Sequence, residues 1–352
     1  MTILQPATQN ARPSLMAREA AEAPDVVRRL IERNADACRA LGARLREAPP
    51  RFVVTCARGS SDSAATYAKY LIELSLGVVV ASVGPSVSSV YRAKLDMREA
   101  LFLAISQSGR SPDLLALAEM ARNDGALTVA IVNDAASPLA AVCEVVLPLH
   151  AGAERSVAAT KTYLASLAAA LQMVAEWSGN AALLEVVPTL PDMLRAALAL
   201  DWRQAVGPLS AAHDLYVVGR GVGYAAAQEV ALKFKETCGL HAEAISAAEL
   251  MHGPLALAGP DFPALILGQD DEALASLKAM AAGLAAQGVA VIAAGPGTGW
   301  AGSMLPIVGG LHPFVQPIAT VQSFYALADA VARTRGHDPD RPSHLRKVTE
   351  TW

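Results

Sequence analysis

Nothing in this 352-residue chain is long and apolar enough to cross a bilayer, which takes about 20 consecutive apolar residues. The first residues have no basic-then-apolar leader pattern. The four cysteines, Cys38, Cys56, Cys143 and Cys238, form neither a CxxC pair nor a disulfide-like framework. A formal net charge of −4 leaves no broad basic field for nucleic acid. These absences point to a soluble, cytoplasmic protein with reduced thiols and no membrane or nucleic-acid partner. Missing motifs narrow the chemistry further. No G-x-x-x-x-G-K-[ST] loop marks a nucleotide site, and Gly219-x-Gly221-x-Gly223 lacks both the G-x-G-x-x-G spacing and the acidic residue of a dinucleotide fold. No metal-ligand spacing such as H-E-x-x-H surrounds His241, Glu243 or His252, and no G-x-S-x-G elbow is present. No metal and no cofactor are expected.

What is present is an α/β pattern. The 53% hydrophobic content rests largely on alanine, which favours helices, and the length suffices for two domains. Residues 17–47 are helix-rich, with Pro24 at a helix start and Pro49-Pro50 closing the segment. Strands are predicted at Phe52–Cys56, Val78–Val83, Leu101–Ile105, Leu127–Val132 and Val145–Leu149, alternating with helices as in a parallel sheet covered on both faces. A long helix is predicted over Val157–Ser178 and a helical connector over Pro188–Asp201. The pattern then restarts: a strand at Leu215–Val218, an Arg220-Gly221 turn echoing Arg58-Gly59, a helix over Ala225–Thr237, and strands at Ala264–Leu267 and Val289–Ala293. The expected division is a helical extension (1–50), a first unit (51–190), a second unit (200–332) and a tail (333–352).

Two turns carry the chemistry of the first unit. Ser106-Gln107-Ser108-Gly109-Arg110-Ser111 follows one apolar strand and precedes a helix near Leu114, and Gly59-Ser60-Ser61 does the same after Phe52–Cys56. Hydroxyls and free backbone N–H groups at a helix N-terminus suit an anion, above all a phosphate. An ordinary capped turn would look the same at either place alone. Neighbouring parallel strands open on one edge, so two such turns can converge on a phosphate held by neutral donors. Cys56 reads as a small buried strand residue rather than a nucleophile.

The second unit supplies charge. Glu229, Lys233 and Glu236 recur at i, i+4 and i+7 on one helix face, among Val230, Ala231, Leu232 and Phe234. Solvated ion pairs give this pattern on a surface helix, but flanks this apolar favour partial burial and tunable pKa values. His241, Glu243, Glu249 and His252 follow closely. Together they offer base, acid and cation for proton transfer on a sugar carbon.

At these residues the chain resembles the double sugar-isomerase (SIS) domain family, specifically the isomerase half of glutamine–fructose-6-phosphate aminotransferase and stand-alone glucosamine-6-phosphate deaminase-like members. The similarity runs from about Arg51 onward. It rests on Gly59-Ser60-Ser61, Ser106-Gln107-Ser108-Gly109 with Ser111, Ala151-Gly152-Ala153-Glu154 with Val157–Lys161, Glu229–Glu236, His241–Ala244, Glu249–Ala256, and the tail Leu345-Arg346-Lys347-Val348-Thr349. The resemblance implies two tandem SIS domains, each a parallel sheet flanked by helices, with a helical extension and a tail over the active site. It implies that Gly59, Ser60, Ser61, Ser106, Gln107, Ser108 and Ser111 hold a sugar phosphate, with Val157, Glu229 and Lys233 lining or supporting the site. Glu236 would move a proton between carbon-1 and carbon-2, and Lys347 would sit by the carbonyl carbon. His252 would assist ring opening from the neighbouring subunit of a homodimer.

Two departures matter. The synthase pattern Gly-Glu-Thr-Ala-Asp-Thr reads Gly109-Arg110-Ser111-Pro112-Asp113-Leu114 here, closer to the deaminase-type members. The chain begins Met1-Thr2-Ile3, without the synthase's N-terminal nucleophilic cysteine and glutaminase domain, so the resemblance implies deamination of glucosamine 6-phosphate to fructose 6-phosphate. Galactosamine 6-phosphate or fructosamine-type 6-phosphates are alternative substrates. A non-catalytic sugar-phosphate-sensing regulator is a third reading. It lacks a basic helix-turn-helix segment before Arg51 and gives no reason to keep Glu236, His252 and Lys347 together.

Overall fold

The structure, a computed structural model, describes residues 13–347. Met1, Thr2, Ile3, Val348 and Thr349 therefore lie outside the described residues. A short helix, Leu15–Ala21, is capped by the Ser14 hydroxyl, which accepts from the Ala17 N–H (3.0 Å). The helix Ala23–Glu47 starts with Pro24 in its first turn, where a missing N–H costs nothing. Its apolar stripe, including Val27, Leu30, Leu41 and Leu45, is buried and packs on the helix Lys161–Ser178.

Two five-stranded parallel sheets follow. The first contains β1 (Phe52–Cys56), β2 (Val80–Ser82), β3 (Ala100–Ser106), β4 (Leu127–Val132) and β5 (Val145–Pro148), in the order β2-β1-β3-β4-β5. The second contains β6 (Asp214–Gly219), β7 (His241–Ser246), β8 (Ala264–Leu267), β9 (Val291–Ala294) and β10 (Ser303–Met304), in the order β10-β9-β8-β6-β7. Read from the opposite edge, the second order repeats the first. The restart of pattern seen in the sequence is a duplicated sheet topology.

Side chains alternate across each strand. Val53, Leu101, Leu103, Leu215, Val217 and Leu265 join one large core shared by both halves. Val54, Phe102 and Ala104 face a separate apolar cluster, and Tyr216, Val218 and Ile266 a third. Burial on both faces explains why these strands read as continuous apolar runs. Among the described residues, no helix is long and apolar enough to cross a membrane.

Several details differ from the sequence reading. The helix expected from Val157 begins at Lys161, and Val157–Thr160 is loop. Carboxylates hold that loop instead of helical hydrogen bonds: Glu19 accepts from the N–H groups of Arg155 (2.6 Å) and Ser156 (3.0 Å), and Glu154 from that of Thr160 (3.0 Å). His241–Ser246 is an edge strand, which the sequence reading passed over. The helix Gln316–Thr334 runs two residues past the boundary expected at 332.

Candidate active site

In a parallel sheet of this order, the strand connections reverse direction between β1 and β3, leaving a crevice at their C-terminal ends. The two serine turns leave the sheet at that point. A cleft of about 370 Å³ opens there, lined by Gly59, Ser60, Ser61, Ser106, Gln107, Ser108 and Ser111. Val157, Glu236 and Lys347 line the same cleft, so five separate segments of the chain converge on it.

The loop geometry leaves donors for an anion. Ser106 Oγ accepts from the Gly109 N–H (3.0 Å), which orders the turn while leaving the serine O–H to donate. Gly109 has φ +63°, and a Cβ there would collide with the Ser137 side chain, so glycine is required. Ser111 is the N-cap of the helix Pro112–Asn123 but makes no side-chain capping bond, so its hydroxyl is not absorbed by the helix. That separates it from an ordinary capping serine. Ser60 is different: its Oγ accepts from Lys233 Nζ (3.0 Å), tying the first loop to the second half of the chain.

The helix Gly223–Cys238, which follows β6, packs against Ser60–Leu76 of the first half. It carries Glu229, Lys233 and Glu236 on one face, as their spacing predicts. Glu229 and Lys233 are fully buried; the Glu236 side chain is 23% exposed and turned to the cleft. Lys233 Nζ lies 3.5 Å from Glu229 Oε1 and contacts Glu236 Oε2 directly. Burial disfavours the ammonium, but Glu229 and Glu236 outweigh it and raise the Lys233 pKa, keeping it charged. Burial pushes the Glu229 carboxyl up to about 7; Lys233 opposes that rise, as do hydrogen bonds from Ser60 and Tyr325. The Tyr325 hydroxyl lies 3.1 Å from Glu229 Oε1.

This predicts a measurable pH effect. With its pKa raised from 4.5 to about 7, folded Glu229 binds more proton than the unfolded chain across that interval, so its contribution destabilises the fold as pH rises through it. Glu229→Gln removes the titration. The variant should gain on the wild type by up to about 3 kcal/mol between the low and high ends of the window. Urea denaturation at a series of pH values checks this; parallel stability curves would refute it.

The tail lines one side of the cleft. Arg335 anchors its start by donating to the carbonyls of Cys238, Ser210 and Ala212 (2.8–2.9 Å). Asp340 accepts from the N–H groups of Leu15 (2.7 Å) and Met16 (2.8 Å), at the start of the first helix. Lys347 Nζ donates to Glu154 Oε2 (2.8 Å). Glu154 is buried and also accepts from Thr162 through its N–H (3.1 Å) and hydroxyl (2.7 Å), at the N-terminus of Lys161–Ser178. Burial would raise its pKa, but Lys347 and these hydrogen bonds pull it below the usual carboxylate range. Glu154, quoted above only as part of a motif, is the seat of Lys347. A buried acid followed by a helix start was the available signal.

Other residues do not assemble here. Exposed His241 pairs with half-buried Asp214 (2.7 Å) at the N-terminal ends of β7 and β6, the edge away from the strand C-termini. Glu243 is also exposed. The expectation that they join Glu236 is corrected: they decorate an edge strand. His252 is exposed and lines a separate groove with Arg220 and Met251, outside the cleft of its own chain. Cys56 is buried, and burial lifts its thiol pKa to about 12, which suits a structural residue. The matching crevice of the second sheet, between β6 and β8, is plugged. Gln269 is buried there, donates to the Arg220 carbonyl (2.8 Å), and occupies the space a Cβ at Gly223 would need. The first half thus carries the open cleft, and the second supplies the charged helix that lines it.

A duplicated parallel sheet with serine loops at one switch point and a charged helix from its repeat defines a tandem α/β class of fold with one open cleft. The chain belongs to the SIS-domain family, whose pattern matches residues 48–176 and 208–294. It is similar to a structure provisionally described as a phosphosugar isomerase from Silicibacter pomeroyi DSS-3: 45% identity, TM-score 0.89, covering 93% of this chain and all of that one. It is also similar to the C-terminal domain of glucosamine-fructose-6-phosphate aminotransferase from Francisella tularensis, with 25% identity and TM-score 0.84 over 96% of this chain and all of that one. The isomerizing glutamine–fructose-6-phosphate aminotransferase of Aeropyrum pernix is 33% identical over 82% of this chain, which spans 49% of that relative's length.

Proposed function

We propose that this cleft isomerises a hexosamine 6-phosphate, foremost glucosamine 6-phosphate to fructose 6-phosphate, with release of ammonia. The observation that carries the reading is Glu236, held by Lys233, standing in one cleft with the serine loops and Lys347. The phosphate end anchors the open-chain sugar so that carbon-1 and carbon-2 lie at the carboxylate. Glu236 takes the carbon-2 proton, and the electrons form an enolamine across carbons 1 and 2. Returning a proton to carbon-1, while the nitrogen gives up a proton and the carbon-1 oxygen has gained one, gives the carbon-2 imine of fructose 6-phosphate. Water then adds to carbon-2, and ammonia leaves. Lys233, charged and fully buried, contacts Glu236 Oε2 and so holds the carboxyl group in place for this step. Lys347 brings a positive charge to the other wall, where negative charge develops on the carbonyl oxygen. The aminotransferase names of the relatives support an amino-bearing hexose 6-phosphate as substrate.

The same reading assigns His252 to ring opening in a second copy of the chain. Its support is the exposure of His252 beside Met251 (57% exposed) and Leu257 (64% exposed), an apolar patch fit for burial. In a two-fold dimer, each site then combines Glu236 of one copy with His252 of the other. Mixing inactive Glu236→Gln and His252→Ala variants should restore about a quarter of wild-type activity, since half the dimers are mixed and each carries one intact site. No recovery after subunit exchange would place His252 outside the reaction. Incubating the protein with a panel of hexosamine 6-phosphates and assaying ammonia and ketose tests the substrate; binding without ammonia from any of them would overturn the reading.

Replacing Ser106 and Ser108 together by alanine should raise KM for the sugar phosphate on the order of 10-fold to 100-fold with a smaller change in kcat. An unchanged KM would mean that these serines only order the turn.

A further inference from the structure

The sequence reading gave the phosphate neutral donors alone; the structure adds a charge at the same place. Arg58, immediately before Gly59, lines the cleft. Its Nε (3.1 Å) and Nη2 (2.6 Å) both donate to Oδ2 of Asp113, a residue of the second serine loop's helix. Asp113 is fully buried and its Oδ1 also accepts from the Leu114 N–H (2.9 Å), so the acceptor cannot swing. The arginine side chain remains 52% exposed, and among the described residues its Nη1 makes no hydrogen bond. A guanidinium gripped by one edge and open on the other is a fixed cation. The other arginine on these loops, Arg110, turns away to Asp134 (2.9 Å).

We propose that Arg58 is the charge-reading residue of the phosphate subsite: locked by Asp113, it presents its free edge to a phosphate dianion cradled by the serine loops and makes the cleft prefer the dianion. The inference rests on the reading of this cleft as a sugar-phosphate site. The charged groups facing Arg58 are Asp62 on the helix Ser60–Leu76, Asp113 on its own helix, Glu236 on the charged helix, and Arg346 and Lys347 from the tail. Asp113 is occupied by the lock, Glu236 by Lys233, and Lys347 by Glu154.

Calorimetry with glucitol 6-phosphate, which needs no turnover, tests this. Between about pH 5 and pH 8 its phosphate loses the second proton, near pH 6. Wild-type affinity should rise across that range. Arg58→Met should weaken binding on the order of 10-fold to 100-fold at pH 8 but much less at pH 5, flattening the profile. Arg58→Lys keeps the charge but not the two-point grip, so it should keep the pH slope at reduced affinity. Affinity of either variant within about two-fold of wild type at pH 8, or a loss in Arg58→Met that is equal at both pH values, would overturn the role of Arg58. Absence of binding by the wild type itself would instead overturn the reading of the cleft.

Discussion

Glu236→Gln is expected to leave sugar-phosphate affinity within a few-fold of wild type while lowering turnover on the order of 100-fold or more. The side chain keeps its shape and its place in the cleft, so the phosphate loops are untouched. What disappears is the lone pair that takes the carbon-2 proton. The neighbouring ammonium sharpens the effect, because Lys233 contacts Glu236 Oε2 and an amide presents either a weaker acceptor or a repelling NH₂ there. Steady-state kinetics beside calorimetry separates the terms. Near-normal turnover would remove Glu236 from the proton transfer.

Truncation after Gly336 should leave a folded protein whose turnover falls at least 100-fold. The removed segment contributes Leu345, Arg346 and Lys347 to the cleft, so water enters and the cation at the reacting end is lost. Folding should survive because Glu154 retains its bonds to Thr160 and Thr162 without Lys347. The truncation also removes Asp340, which binds the N–H groups of Leu15 and Met16. Lys347→Met isolates the catalytic part by keeping that pin, and should reproduce most of the activity loss with little change in the first helix. Full-rate ammonia release by both proteins would end the idea of a closing tail.

Much of the site was legible because its signals are local. An apolar run ending in Gly59-Ser60-Ser61 or Ser106–Ser111 announces a strand, a turn and a helix N-terminus at once. The i, i+4, i+7 spacing of Glu229, Lys233 and Glu236 places them on one face whatever the tertiary fold. The errors have equally physical causes. Val157–Thr160 has helical composition, but Glu19 binds the Ser156 N–H and Glu154 the Thr160 N–H, and the segment stays a loop. His241–Ser246 alternates polar and apolar residues weakly, as an edge strand half open to water can, so its histidine and glutamate looked catalytic. The contacts Lys347–Glu154, Asp340–Leu15 and Arg58–Asp113 join residues far apart in the chain, and no periodicity encodes them.

Proton NMR of glucosamine 6-phosphate incubated with the protein in D₂O tests the central claim most directly. The carbon-2 proton signal should disappear at the rate at which fructose 6-phosphate and ammonia appear, in equal amounts and without glutamine. Glu236→Gln should slow all three together. A carbon-2 signal that persists, with neither ketose nor ammonia formed although the sugar phosphate binds, would contradict it.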